Sequence, residues 1–97
     1  MDEVYMDIPA VEQMSTRFGQ IGELLDGVNK ALEVIANMLR AAAFIGAVGA
    51  AVLLHFVERI KPQIKRMADK CKELSRDLTA AVRAYERGDQ QGATRFY

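Results

Sequence analysis

The sequence predicts an all-α protein, an antiparallel hairpin of two long helices, and three observations carry that reading. Its 97 residues are rich in Ala, Leu, Glu, Lys and Arg, with two prolines and no tryptophan, a composition that favours long helices. Apolar residues on both sides of the midpoint recur at steps that alternate three and four. Between these arms lies Ala41–Leu54, fourteen residues without one polar side chain. A chain of this length makes one small domain at most.

Residues 1–8 are read as a flexible N-terminus. Asp7-Ile8-Pro9 then reads as a helix start, because proline there loses no hydrogen bond and its fixed φ already suits the helix. The first arm, about 9–42, carries the seam Val11, Met14, Phe18, Ile21, Leu25, Val28, Leu32, Ile35, Leu39, Ala42. Leu24, Ala31 and Met38 widen that stripe enough to meet more than one neighbour. Gly19, Gly22 and Gly27 each cost about 1 kcal/mol relative to alanine within a helix, so packing and not propensity must hold the arm together.

The apolar middle admits three readings. A membrane span needs about 20 apolar residues, and extending the run to 35–57 takes in Asn37, Arg40 and His55. A continuous helix from Pro9 to Arg87 would be roughly 120 Å long at the standard rise per residue. A bend near 43–46 gives instead two arms of roughly 50 and 60 Å that pair along their length, and Gly46 and Gly49 suit a change of direction. We take the hairpin as the working fold. The alternatives are a small membrane-associated, holin-like protein using 41–57, or a structural coiled-coil module.

The second arm, about 47–87, resumes the seam as Leu53, Val57, Ile60, Ile64, Met67, Cys71, Leu74, Leu78, Ala81, Tyr85. Pro62 removes one backbone hydrogen bond and is expected to kink the helix without breaking it, because the seam keeps phase from Ile60 to Ile64. Gly88 suits the residue after a helix end, and 88–97 is read as a flexible tail. Two paired helices cover only part of each stripe. The remainder calls for a second hairpin, giving a dimeric four-helix bundle.

Charge and chemistry narrow the function. Thirteen basic residues balance thirteen acidic ones, which leaves no net field for nucleic acid or an anionic membrane. Residues 1–49 hold three basic and seven acidic residues, and 50–97 hold ten and six, a polarity suited to elements that fold back on each other or onto a second copy. His55 and Cys71 lie 16 residues apart on one helix, roughly 24 Å along its axis, too far for a nucleophile and its base. No metal-ligand spacing or phosphate-binding loop is present, so no enzyme and no cofactor is expected. The acidic N-terminus lacks the basic-then-apolar order of a cleavable signal peptide.

With its central Phe44-Ile45-Gly46 and its Tyr85-Glu-Arg-Gly-Asp89 at the end of the second arm, the chain resembles the WXG-motif, ESAT-like family of small type VII secretion substrates. The resemblance covers essentially the whole length. Phe44-Ile45-Gly46 stands where the family has Trp-x-Gly, with phenylalanine replacing tryptophan, and Tyr85 and Asp89 match its Tyr-x-x-x-acid export motif. It implies a hairpin that dimerises with itself or a related hairpin. Such a pair is made in the cytoplasm and exported, or escorts a larger effector, to the cell surface or beyond without a signal peptide. A secretion ATPase would read Tyr85 and Asp89; no nucleic acid or membrane partner is expected.

Overall fold

The computed structural model describes residues 5–88; the tail at 89–97, Asp89 included, and residues 1–4 lie outside the described residues. Two helices, α1 (Ile8–Phe44) and α2 (Val48–Glu86), pack side by side as an antiparallel hairpin. No described residue is in a strand. The molecule measures 69 × 19 × 14 Å, close to one arm in length, so the continuous rod is ruled out. Among the described residues no helix is long and apolar enough to cross a membrane.

Local chemistry sets the helix ends. The Asp7 carboxylate accepts a hydrogen bond from the Ala10 N–H at 3.2 Å, and Pro9 occupies a first-turn position that has no donor to lose. At the other end of α1 the Ala47 N–H reaches the Ala42 carbonyl at 3.1 Å and the Gly46 N–H reaches Ala43 at 3.0 Å. This double closure requires a left-handed residue after the cap, and Gly46 supplies it with φ +98°. Ile45, Gly46 and Ala47 therefore make the whole turn. Gly88, φ +77°, closes α2 in a related way, its N–H bonded to Tyr85 O at 3.0 Å. The long second helix runs past Pro62 as one element.

The two helices meet along small residues. Ser15, Gly22 and Ala36 are the buried residues of α1, each seven or fourteen positions from the next. Facing them, α2 buries Ala50, Val57, Ala68, Leu78 and Val82. Near the open end Ser15 Oγ donates to the Ser75 carbonyl at 2.8 Å and Ser75 Oγ donates to the Ser15 carbonyl at 2.7 Å. Thr79 Oγ1 completes the knot, 2.7 Å from Ser15 Oγ. These reciprocal bonds admit one register only, because a slip of one turn would bury the hydroxyls without partners.

Of the seam residues read from the sequence, Val57 and Leu78 are buried, whereas Phe18, Leu25, Leu32, Leu39, Ile60, Ile64 and Leu74 are half-buried. Ile21, Val28, Ile35, Leu53 and Met67 stay exposed on the hairpin. The cause is close approach. A row of Ser, Gly and Ala lets the axes come nearer than Ile and Val would, so the contact line rotates toward the small residues and leaves one bulky row outside.

One edge of this contact line is charged. Asp26 pairs with Lys72, Glu33 with Lys61, and Arg40 with Glu58, each bridging α1 to α2. The hydrogen bond from Lys72 holds the Asp26 carboxyl below its ordinary 3.8, and Asp26 in turn raises the Lys72 ammonium above 10.5. The lowered Asp26 stabilises the fold above its unfolded value, and that contribution is lost as pH falls through the lowered one. The raised Lys72 stabilises below 10.5 and loses its contribution as pH rises through the raised value. Both side chains are about a third exposed, so the contribution is small and screened by salt. Asp26→Asn is expected to lower the melting temperature slightly between these limits. In melts recorded across pH at low salt, the gap to the parent should close below pH 3.8 and shrink in high salt.

Candidate functional site

The opposite edge of the hairpin carries no described ion pair across the helices; it is apolar. Ile21 and Ile35 each precede a buried interface residue of α1 by one position, as Met67 does on α2, and Val28, Leu53 and Ile60 keep the same seven-residue register. One residue is a rotation of about 100° about the helix axis. Because the helices are antiparallel, equal rotations on both bring the two rows to the same side of the hairpin. Leu24, Met38 and Phe56 extend the face outward, all of them exposed. The result is a two-sided rod, ionic along one edge and open and greasy along the other. Monomeric proteins rarely leave so much contiguous apolar surface in water, and such a patch marks an interaction site.

The bend is the greasiest point. Phe44, Ile45 and Val48 are 91%, 83% and 80% exposed, and Val52 lies beside them. The turn itself needs only Gly46, so Phe44 and Ile45 are presented outward and do not pack inside the bend. No Asp, Glu, Lys or Arg interrupts residues 41–57.

At the far end of the rod, Tyr85 is half-buried in the last turn of α2. It packs against a small cluster of Met6, Ala81 and Val82, together with Ile8 and Val11. The helix ends at Glu86 and Gly88 turns the backbone left-handed, and Asp89, the other half of the motif, lies outside the described residues. His55 is exposed and Cys71 half-buried, far apart along α2. Among the described residues no three His, Cys, Asp or Glu side chains are grouped to hold a metal.

Residues 1–96 match the family described as excreted virulence factor EspC, type VII ESX diderm. The chain belongs to this EspC family. The match spans the hairpin from end to end and identifies a type VII secretion substrate, in agreement with the family resemblance drawn from the two motifs. The family is one of secreted, virulence-associated substrates and is not an enzyme family, and it implies export through a type VII system. No curated protein and no solved structure matches the chain.

Sequence reasoning missed two buried features that position this surface. Met6 falls in the segment read as flexible, yet it is 3% exposed. Its signal was present: Met6 directly precedes the cap Asp7, with Val11 five residues on, the spacing of a hydrophobic staple. The second omission is the row of Ser15, Gly22 and Ala36, whose seven-residue spacing is as regular as that of the bulky seam.

Proposed function

We propose that this EspC-family chain works as half of a four-helix bundle: a hairpin that pairs through its open apolar face and is exported by a type VII apparatus as that pair. The observation that carries the reading is the one-sided distribution of Ile21, Val28, Ile35, Leu53, Phe56 and Met67, opposite an edge already closed by ion pairs. A partner covers one edge only, and a second hairpin with the same pattern fits it stripe to stripe. The partner is a second copy or a related hairpin, and the acidic first half and basic second half of the chain favour a pairing that sets unlike halves together. The pair travels alone or escorts a larger effector. Tyr85, with Asp89 beyond it, is the handle that a secretion ATPase reads, and Phe44-Ile45-Gly46 takes the place of the family's central aromatic-x-glycine. No catalysis is involved.

The test is export of the full chain from cells with a working type VII apparatus. Tyr85→Ala is expected to abolish appearance in the medium while the purified protein keeps its helicity and its association state. Export at the parental level would refute the role of Tyr85. Loss of export together with loss of helical content would show a folding defect and no recognition role.

A further inference from the structure

The least expected buried side chain in the molecule is Met6. It precedes the first helix, in backbone that is not helical, and is nonetheless 3% exposed. Two local devices aim it. Asp7 caps α1 through the Ala10 N–H, which fixes the direction in which the chain enters, and the Met6–Val11 staple spacing turns the preceding side chain inward. What it meets is not only its own helix: Met6 closes a cluster with Ala81 and Val82 of α2, on which Tyr85 packs.

This placement matters because of where α2 ends. The knot of Ser15, Ser75 and Thr79 ties the helices together near the open end, and the interhelical ion pairs among the described residues lie further toward the bend. Beyond Thr79, the turn bearing Ala81, Val82 and Tyr85 makes apolar contact with Ile8 and Val11 at the start of α1 and with Met6. Terminal turns with few such contacts open locally, at a free energy well below that of global unfolding.

We propose that the end of the rod away from the bend is a composite recognition surface for a protein partner. In it, Met6 is a positioning residue that holds the last turn of α2, and so the Tyr85 ring, in the pose the export machinery reads. This rests on the proposed role of Tyr85. The handle is then built from both ends of the described chain, and the N-terminal strap Tyr5–Asp7 is part of it although it is remote from Tyr85 in sequence.

The experiment compares Met6→Ser, Met6→Leu, Gly22→Ala and Tyr85→Ala in the full chain, exported from cells with a type VII apparatus. Amide hydrogen exchange and tyrosine ring resonances are recorded on the purified proteins. Met6→Ser is expected to cut export roughly tenfold through local opening, with faster exchange confined to residues 81–86 and overall helicity kept. Met6→Leu restores both export and protection. Gly22→Ala, which weakens the hairpin far from this end, leaves export near the parental level at temperatures where it is folded. Parental export of Met6→Ser alongside failed export of Tyr85→Ala overturns the role of Met6 alone. Parental export of Tyr85→Ala overturns the handle itself. Equal losses in Met6→Ser and Gly22→Ala, scaling with global stability, reduce Met6 to a structural residue and also overturn the proposal.

Discussion

Placing glutamate at both Ile35 and Phe56 is expected to turn the proposed pair into a monomeric hairpin that keeps its helices. Ile35 and Phe56 are 43% and 56% exposed on the isolated hairpin, so neither substitution buries a charge within it. In the proposed four-helix bundle both positions lie inside. Covering the exposed half of an isoleucine or phenylalanine contributes on the order of 1 kcal/mol, and an unpaired carboxylate there costs several more. A loss of at least ~3 kcal/mol is then expected, about a hundredfold or more in Kd. Sedimentation equilibrium reads this directly, with the variant at the 10.8 kDa of one chain and the parent at a multiple of it. Circular dichroism should be unchanged. A variant that associates as well as the parent would place the partner elsewhere. Equivalent charges on the ionic edge, such as Lys65→Glu, should leave association intact, because that edge stays in water.

Two glycines five residues apart in α1, about 1.4 turns, should respond to alanine with opposite signs. At Gly22 an added Cβ would sit 2.7 Å from Lys72 Cγ and 3.1 Å from the Ala68 carbonyl oxygen. The lysine stem can swing aside, but the carbonyl belongs to the backbone of α2 and can yield only if the helices separate. Overpacking of this kind costs about 1–3 kcal/mol, more than the ~1 kcal/mol that alanine returns in helix propensity. Moving Lys72 also strains its pairing with Asp26. Gly27 has nothing within 4 Å of the same added atom, so there the propensity gain stands alone. Thermal melts should show Gly22→Ala lowered and Gly27→Ala raised, each by several degrees if ~1 kcal/mol shifts a domain of this size by about 4–8 °C. A stabilised Gly22→Ala would mean that the helices do not approach as closely as described.

Much of the hairpin was legible because it is written in local chemistry. Asp7-Ile8-Pro9 satisfies a helix start within its own first turn, and Gly46 and Gly88 end helices because they tolerate positive φ. None of these depends on what packs nearby. The candidate surface was legible in part. The stripes of Ile, Leu, Val, Met and Phe marked residues that avoid water, but hydrophobicity carries no label for which neighbour will cover them. Each stripe, read as one seam, turns out to serve two directions, inward through Val57 and Leu78 and outward through Ile21, Ile35 and Met67. Met6 was missed for a related reason: the staple spacing to Val11 is local, but its burial is completed by a helix end more than seventy positions away.

From the sequence alone came two amphipathic helices, their approximate ends and the turn at a glycine, since all of these follow from single residues and short spacings. The tertiary structure decided which row of each helix faces the other. Two long helices gain most by close approach, and only the line of Ser15, Gly22 and Ala36 permits it. That choice leaves the bulky rows together on one side, and it lays the start of the first helix against the end of the second.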